Sequence, residues 1–400
     1  ENKLIYGEIN TPFSLIQDML NLFPEKTFTN PDLKWLDPCC GCGYFTIVLF
    51  KKLFQGLVHK IPDESERKKH IIEKMIWMVE INRENKEKLF NLFGENANII
   101  ISDFLDFKKN QIPDKFDIII GNPPYNSNGN IKVPTNKSRT KVEDGKTIWR
   151  DFTKSAISLL KPSGLLCFII PSIWLKPDKF HMYEYLTNYK ITKLHCLTNT
   201  ETNQIFCGEA QTPTCYFILE NTINQNKNEL KQINIYDKNM KKYTDYLLLP
   251  DNPVPVFGVS VIQKLIPWIQ KVGCLQVVKT NEPSKKLEFS SERTEKYNYP
   301  CILSATLKSQ EPFVLNLKTN YCSEEAPYTN QSKLILAHKM YGFPLLDWEG
   351  KWGISRRDSY VILNKSKSDL CKIQQFLSTY FALYVFESTR YRMKYLEKYA

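Results

Sequence analysis

Short, continuous apolar segments alternate with longer amphipathic segments through the first 220 residues of the chain. The apolar segments are rich in Ile, Val and Phe, as expected for buried strands of a parallel sheet that helices cover on both faces. The alternation therefore predicts a doubly wound α/β domain. The predicted strands are residues 34–39, 75–81, 98–104, 116–122, 164–171 and 214–220. The predicted helices are residues 11–23, 44–58, 66–75, 82–93 and 149–164, the last of which ends in Pro-Ser-Gly.

The size of the chain predicts more than one domain, because 400 residues exceed what one ordinary core organises. No apolar segment approaches the roughly 20 residues that span a bilayer. The eleven cysteines are scattered, which favours reduced thiols in a cytosolic setting. Cys39 and Cys42 form a Cys-x-x-Cys pair, but no second pair or His cluster completes a zinc site. The first residue is Glu1, so the chain is expected to be trimmed or to be a segment of a longer protein.

Positive charge is concentrated in the C-terminal part of the chain. Residues 1–225 contain 28 Lys and Arg against 26 Asp and Glu, a net charge of +2, whereas residues 226–400 contain 26 against 17, a net charge of +9. This asymmetry favours a domain that faces a polyanion, joined to a domain with a different role. A solvated Lys-rich surface would give the same counts. The polar stretch at residues 221–232 is the expected boundary.

The segment "WLDPCCGCGYF" at residues 35–45 predicts a strand, a tight glycine loop and a helix. Gly41 and Gly43 allow a ligand to approach the backbone closely, and ligands of open α/β sheets lie beyond the carboxyl ends of strands. The third glycine of a pyrophosphate-binding loop is missing. Asp37, which precedes the loop, favours a ligand that carries a positive amine.

Acidic residues also follow the next two predicted strands. Glu80 can accept hydrogen bonds from both hydroxyls of a ribose, although a solvated Glu at a strand end explains this residue equally well. Asp103 can accept from an adenine amino group, and Phe104 can pack on the adenine ring. Together with Asp37, these carboxylates predict a pocket for an adenosine with a charged amino-acid tail.

The segment "DIIIGNPPYN" at residues 117–126 ends a predicted strand in a rigid turn. Asn122 offers an amide oxygen and Pro123 a carbonyl oxygen, and two such acceptors can hold the two hydrogens of an exocyclic amino group. The ring of Tyr125 can stack on a base, which is worth about 1–3 kcal/mol. A structural Pro-Pro turn would explain the prolines but neither Asn122 nor Tyr125. Residues 126–147 are polar and aperiodic, which predicts a mobile loop.

The linear order of these motifs resembles the amino-methyltransferases that act on DNA adenine. The similarity is to TaqI-like and Eco57I-like modification enzymes with the gamma motif order, in which the target-recognition region comes last. It covers residues 5–220, including "GEINTPFSLIQDML", "DPCCGCGYF", "NPPY" and "NQIFCGEAQTPTCYFIL". The resemblance implies a Rossmann-like methyltransferase sheet, S-adenosyl-L-methionine (SAM) as the cofactor, and a flipped adenine in double-stranded DNA as the target.

The resemblance also implies roles for individual residues. Thr11 would contact the methionine end of SAM, and Phe206 would close over the target base. The implied cofactor-binding residues are Thr11, Asp37, Pro38, Gly41, Gly43, Glu80, Asp103 and Phe104. The implied catalytic residues are Asn122, Pro123, Tyr125 and Phe206.

The same resemblance implies two domains, a SAM-dependent methyltransferase domain at residues 1–225 and a mixed DNA target-recognition domain at residues 226–400. The stretch at residues 332–363 is loosely similar to target-recognition regions of restriction-linked enzymes. A cognate restriction endonuclease would be a further partner, and no membrane is expected. The candidate phosphate contacts are Lys333, Lys339, Arg356 and Arg357, although a solvated basic face would account for each of them singly.

Other functions remain open from the sequence. The Asn-Pro-Pro-Tyr turn also serves enzymes that methylate adenine in RNA or glutamine in proteins, and the basic C-terminal part fits nucleic acid better than protein. A DNA-binding subunit without turnover would not need Asn122 and Tyr125. The chain can also be the methyltransferase segment of a fused restriction–modification protein, since no nuclease motif is evident in it.

Overall fold

A computed structural model of the chain describes residues 9–106, 112–113, 115–127, 146–223, 231–248, 253–279, 287–307, 315–337, 344–354 and 359–392. The chain divides into two compact units, unit 1 (Glu1–Val254) and unit 2 (Pro255–Ala400). The division lies later than the expected boundary between residues 225 and 226. The reason is that two strands beyond that boundary pair into the sheet of unit 1.

A nine-stranded sheet forms the centre of unit 1. The strands are β1 (Trp35–Asp37), β2 (Ile76–Glu80), β3 (Asn98–Ile101), β4 (Phe116–Gly121), β5 (Leu160–Pro171), β6 (Tyr189–Leu197), β7 (Thr214–Ile223), β8 (Lys231–Asp237) and β9 (Lys242–Leu248). Their spatial order is β3-β2-β1-β4-β5-β7-β6-β8-β9.

The strands β1 to β5 pair in parallel, and their order creates a switch point. Trp35 in β1 lies opposite Ile76 in β2 on one side and Ile118 in β4 on the other. The chain moves outward from β1 to β2 and β3 and then returns to the other side of β1 with β4. A crevice forms where the strand order reverses in this way, beyond the carboxyl ends of the two strands. Asp37 and Gly121 are the last residues of β1 and β4, so both lie at this crevice.

Seven described α-helices flank the sheet of unit 1. They are α1 (Phe13–Leu20), α2 (Tyr44–Gly56), α3 (Glu64–His70), α4 (Asn85–Phe93), α5 (Trp149–Ser158), α6 (Met182–Thr187) and α7 (Asn199–Ile205). The apolar sides of α1 and α2 share one core cluster with the sheet, in which Ile16, Leu53 and Trp35 are fully buried. Full burial of such a side chain contributes about 1.5–3 kcal/mol, so this cluster anchors both helices.

The doubly wound α/β prediction is confirmed, with two differences in detail. The predicted sheet was parallel, whereas β7 runs antiparallel to both β5 and β6, which makes the sheet mixed. The helix predicted at residues 149–164 ends at Ser158, and residues 160–164 belong to β5. Pairing of Phe116 with Leu160 extends the strand backward and overrides the Pro-Ser-Gly stop signal.

Two predicted loops fall largely outside the described residues. Residues 128–145 of the stretch at 126–147 are not among them, while its described ends meet in an isolated bridge between Asn126 and Thr147. Residues 224–230 of the stretch at 221–232 also lie outside, between the end of β7 and the start of β8.

Unit 2 contains two small mixed or antiparallel sheets and three described helices. Its strands are β10 (Val278–Lys279), β11 (Phe289–Ser290), β12 (Tyr299–Leu307), β13 (Leu315–Cys322), β14 (Lys333–Ala337), β15 (Leu345–Asp347), β16 (Gly353–Ile354) and β17 (Ser359–Ile362). One sheet has the order β10-β17-β14-β15 and the other the order β11-β13-β12-β16. Its helices are α8 (Val259–Val272), α9 (Lys367–Leu377) and α10 (Tyr380–Ser388). Among the described helices of both units, none combines the length and the apolar character that crossing a bilayer requires.

Candidate active site

The ends of β1 and β4 approach each other closely at the switch point. A Cβ atom placed on Gly121 would lie 3.1 Å from Oδ1 of Asp37, so only a glycine leaves normal space for this carboxylate. The next residue after Gly121 is Asn122. The topology therefore brings Asp37 and Asn122 to one crevice, although Asn122 lies 85 positions after Asp37 in the sequence.

The loop between β1 and α2 depends on its glycines. Gly41 and Gly43 have φ angles of 53° and 85°, in the left-handed region that glycine adopts without strain. A Cβ atom on Gly43 would also lie 2.8 Å from Cε2 of Phe93. Gly43 directly precedes α2, whose N-terminus favours negative charge or the acceptor atoms of a ligand. Pro38, at the start of this loop, is buried.

Glu80 connects β2 to this glycine loop. Its Oε2 accepts a hydrogen bond from the backbone N–H of Gly41 at 2.7 Å, and its Oε1 accepts from the backbone N–H of Asn82, also at 2.7 Å. The side chain is only 5% exposed. Glu80 therefore fixes the loop geometry at the crevice, and its contact with a ribose stays a prediction.

Asp37 is a buried carboxyl with one unused oxygen. It is 3% exposed, and its Oδ1 accepts a hydrogen bond from the backbone N–H of Cys39 at 3.2 Å. Oδ2 has no hydrogen-bond partner among the described residues. Burial raises the pKa of Asp37 to about 8, the charge of Glu80 adds to the rise, and the bond from Cys39 opposes it. A buried carboxyl without a counter-charge favours its protonated form or a bound cation over the unpaired carboxylate.

Asn122 is held by two segments that are remote in the sequence. Its Nδ2 donates a hydrogen bond to Oγ1 of Thr11 at 3.1 Å, and its main-chain oxygen accepts from Sγ of Cys39 at 3.4 Å. Its Oδ1 is buried and has no partner among the described residues. Leaving such an acceptor unpaired costs about 1–3 kcal/mol, so a donor from a ligand would be favoured there.

The rest of the Asn-Pro-Pro-Tyr turn is partly enclosed. Pro123 is buried and Tyr125 is half-buried. The hydroxyl of Tyr125 lies 3.5 Å from the main-chain oxygen of Ile169, to which it can donate. Burial, followed by the nearby Cys215, raises the pKa of Tyr125, so its hydroxyl stays protonated and the ring neutral.

Asp103 and Phe104 follow the end of β3. Oδ1 of Asp103 accepts a hydrogen bond from the backbone N–H of Leu105 at 2.8 Å. The ring of Phe104 is buried and stacks on Phe152 with a centroid distance of 5.3 Å. Both residues lie at the same edge of the sheet as Asp37, and their contacts with an adenine ring stay predictions.

Phe206 lies in the core of unit 1. It is 4% exposed and belongs to the same cluster as Ile16 and Leu53. To close over a base, its ring would have to leave this packing. The left-handed residues Cys207 and Gly208 that follow it form a tight turn after α7, and the role of Phe206 stays a prediction.

The structure corrects one of the candidate phosphate contacts. Lys333 is fully buried, and its Nζ lies 2.6 Å from Oδ2 of Asp347. A buried, paired ammonium cannot reach a phosphate, so Lys333 stabilises unit 2 instead. The remaining candidates, Lys339, Arg356 and Arg357, lie outside the described residues.

Two residues at the crevice were not identified from the sequence. Cys39 contacts Asn122, which no local pattern indicates, because the two residues meet only through the sheet. Asn82 is almost fully buried, with its Oδ1 accepting from the backbone N–H of Glu84 at 3.0 Å and its Nδ2 unpartnered among the described residues. The sequence signal that could have identified Asn82 is its position two residues after Glu80, which ends a strand.

The polar atoms at the crevice fit SAM. An unpaired carboxyl oxygen on Asp37 matches a positive amine, and the backbone of Gly41 and Gly43 leaves room for a closely packed ligand. Among the described residues, no group of three or more His, Cys, Asp or Glu side chains is arranged to hold a metal ion.

Comparison with known proteins gives a match across the same region. Residues 42–206 match the model of the Eco57I restriction-modification methylase family. These residues include Gly43 at the end of the glycine loop, the acidic residues Glu80 and Asp103, and the Asn-Pro-Pro-Tyr turn, whereas Asp37 and Gly41 lie before the matched range. Residues 42–206 are therefore similar to a restriction-modification methylase domain of the Eco57I kind. The resemblance drawn from the motifs is thereby confirmed.

Curated relatives of the Eco57I-like domain carry related names. An "Uncharacterized adenine-specific methylase" from Mycoplasma pneumoniae is 30% identical over 244 residues, covering 42% of this chain and 56% of that protein. "Modification methylase CviBIII" from Paramecium bursaria Chlorella virus NC1A is 28% identical over 175 residues, covering 43% of this chain and 39% of that protein. The chain thus spans about half the length of these relatives, or less.

A solved structure that is similar to part of this chain is a modification subunit of a putative type I restriction enzyme from Vibrio vulnificus YJ016. It is 16% identical, has a TM-score of 0.42, and covers 67% of this chain and 54% of that chain. A likeness at this level carries no weight for function.

Proposed function

We propose that the chain transfers a methyl group from SAM to the exocyclic N6 amino group of an adenine that has been rotated out of a specific DNA sequence. The name of the matched family, restriction-modification methylase, supports methyl transfer. The name "adenine-specific methylase" of the Mycoplasma pneumoniae relative supports adenine as the methylated base. The geometry at the switch point supports an amino group as the group that receives the methyl.

SAM would be held at the carboxyl ends of β1, β2 and β3. Asp37 would pair with the amino group of the methionine part, and the glycine loop would lie along that part of the molecule. Glu80 would accept from the ribose hydroxyls, while Asp103 and Phe104 would contact the adenine of the cofactor. When bound there, SAM supplies an electrophilic methyl group on a sulfonium.

The chain would prepare the target nitrogen by accepting its hydrogens. The lone pair of an adenine amino group is delocalised into the ring, which makes the nitrogen a poor nucleophile. The unpaired Oδ1 of Asn122 and the carbonyl oxygen of Pro123 would accept its two hydrogens and favour a pyramidal nitrogen. The two acceptors would also stabilise the positive charge that develops on the nitrogen during transfer. The ring of Tyr125 would stack on the base.

Unit 2 would supply contacts with the DNA backbone. Residues 255–400 contain 21 Lys and Arg against 13 Asp and Glu, so they carry most of the net positive charge. Rotation of a base out of a duplex costs a few kcal/mol, which stacking and phosphate contacts can offset. A protein that relies on such contacts binds DNA more weakly as salt rises.

The observation that carries the proposal is the buried, unpaired Oδ1 of Asn122 at the switch point. The test is sequencing that detects modified bases in DNA and RNA from cells that express the chain, beside cells that express Asn122→Ala. We expect N6-methyladenine at one recurrent DNA sequence with the wild-type chain and none with the variant.

Other outcomes would separate the alternatives. If methylation were confined to RNA, the substrate would be RNA and not DNA, and the proposed roles of Asn122 and Pro123 in binding the amino group would be unchanged. Equal methylation by the Asn122→Ala variant would remove Asn122 from the mechanism. A purified chain that binds duplex DNA but methylates neither nucleic acid would favour a binding subunit.

A further inference from the structure

Asn122 connects the target-base side of the crevice to both segments that are expected to hold the cofactor. Thr11 precedes α1 and lies 111 positions before Asn122 in the sequence, and Cys39 lies 83 positions before it. Thr11 accepts from the side chain of Asn122, whereas Cys39 donates to its main chain. The position of the amide is therefore set by residues outside its own turn.

The orientation of the Asn122 amide decides whether the turn can bind an amino group. The oxygen and nitrogen ends of an amide have nearly the same shape, but only the oxygen accepts a hydrogen bond. Rotated by half a turn, Asn122 would point its NH2 group at the NH2 group of the base. In the observed orientation Nδ2 donates to Oγ1 of the buried Thr11, and this bond holds the amide in a position that leaves Oδ1 available to the base.

The thiol of Cys39 fixes the backbone at the start of the turn. Sγ lies 3.4 Å from the main-chain oxygen of Asn122, within hydrogen-bond distance for sulfur. Burial raises the pKa of Cys39, and the charges of Asp37 and Glu80 raise it further, so the thiol keeps its proton and acts as a donor. Because this oxygen belongs to the peptide bond that joins Asn122 to Pro123, the hydrogen bond orients that peptide plane.

We propose that Thr11 and Cys39 are positioning residues that hold Asn122 with its Oδ1 facing the methyl acceptor, and that they link the cofactor segments to the base clamp. The proposal rests on the proposed function and assigns Thr11 a role other than its predicted contact with the methionine end of SAM. Neither residue touches the target base in this arrangement; both act through Asn122.

The first test replaces Thr11 by Val, which keeps the shape but removes the hydroxyl, and by Ser, which restores it. We expect Thr11→Val to lower kcat about 10-fold at saturating SAM, because a misplaced group costs one to two orders of magnitude. Thr11→Ser should return kcat to within about 3-fold of wild type, and the Kd for SAM measured by calorimetry should change less than about 2-fold in both variants. A weaker Kd with unchanged kcat at saturation would identify Thr11 as a cofactor contact and overturn the proposal.

Cys39 is tested in the same way with Ala and Ser. We expect Cys39→Ala to lower kcat about 3-fold, less than Thr11→Val, because a thiol is a weak donor. Cys39→Ser should recover part of the loss. The matched controls are Thr187→Val, which removes a buried hydroxyl bonded to Tyr183 in α6, and Cys196→Ala in β6. If the controls lower kcat as much as the test variants, the losses reflect stability and the proposal fails.

A second measurement does not depend on turnover. In protein labelled with ¹⁵N at asparagine, the side-chain NH2 signal of Asn122 can be identified by its loss in Asn122→Ala. We expect this signal to shift in Thr11→Val and to keep its position in Thr187→Val. An unchanged signal in Thr11→Val overturns the positioning role even if activity falls. Absence of methylation by the wild-type chain would instead overturn the proposed function, so the two failures are distinguishable.

Discussion

The switch point of unit 1 and a buried ion pair of unit 2 differ in how far their buried polar atoms are hydrogen-bonded. At the switch point of unit 1, Oδ2 of Asp37 and Oδ1 of Asn122 are buried without partners among the described residues. In unit 2, Asp347 is equally buried, but Oδ2 receives Nζ of Lys333 at 2.6 Å and the N–H of Trp352 at 2.9 Å. Its Oδ1 accepts from the N–H of Lys351 at 2.9 Å.

This contrast separates a binding site from a structural support. Unpaired buried acceptors cost free energy in the folded chain, and a ligand that supplies donors recovers that cost on binding. The carboxylate of Asp347 is already fully hydrogen-bonded, so it has no free acceptor for a ligand. It stabilises the local turn instead. The sequence alone predicted that Lys333 contacts a phosphate, whereas the structure places it in a buried ion pair.

The largest expected effect is on catalysis and concerns Asn122. Asn122→Ala should lower methyl transfer about 100- to 1,000-fold, as loss of a preorganised polar group at a reacting centre does. The free energy of unfolding should change by less than about 1 kcal/mol, because removal of the unpaired oxygen offsets loss of the bond to Thr11. Single-turnover assays and denaturant unfolding measure the two quantities. A large loss of stability together with activity would contradict the distinction between the units.

The next effect is on stability and concerns Asp347. Asp347→Ala leaves the ammonium of Lys333 buried without its counter-charge, which should lower the free energy of unfolding by about 3–5 kcal/mol. The double variant Lys333→Met with Asp347→Leu removes both charges and should recover most of the loss. Urea unfolding of the full chain tests both variants. A loss below about 1 kcal/mol in Asp347→Ala would mean that the pair does not support unit 2.

A third effect is the pH dependence of stability that Asp37 confers. Its pKa is about 8 in the folded chain and 3.8 in the reference state, so the folded chain binds a proton that the unfolded chain has lost. Between these pH values, the contribution of Asp37 to stability falls as pH rises. The side chain introduced by Asp37→Asn does not titrate. The Tm of this variant should therefore exceed that of the wild type by an amount that grows from pH 5 to pH 8, at about 2–4 °C for each kcal/mol of stability that the wild type loses.

The same variant has a functional counterpart. Asp37→Asn should bind SAM more weakly near pH 8, where the wild-type carboxyl can carry its charge, and the difference in Kd should narrow as pH falls and the wild-type carboxyl is protonated. Calorimetry provides this comparison, with Glu80→Ala as a second cofactor variant. A more stable variant with unchanged affinity for SAM would mean that Asp37 is a strained residue of the fold and not a cofactor contact.

The fold of unit 1 was largely predictable because local sequence patterns determine it. Continuous apolar runs identified β1 to β5 and β7, and glycines with positive φ occur where the loop before α2 was expected. The strands β6, β8 and β9 were not predicted. β8 joins the sheet through a long-range pairing with β6, and β9 pairs only with β8, so no local pattern places either strand in the sheet of unit 1. Lys333 was misread because an exposed and a buried lysine look the same in a sequence until Asp347 is placed beside one of them.

Neighbouring residues were enough to show which chemical groups the chain has and at which strand ends they lie, because strand periodicity and turn chemistry are local properties. Which of those groups meet depends on the three-dimensional fold. The strand order beside β1 brings Cys39 to Asn122 across 83 positions, and the packing of α1 on the core cluster brings Thr11 to Asn122 across 111 positions. Contacts over such gaps follow from the topology of the sheet, which no short segment encodes.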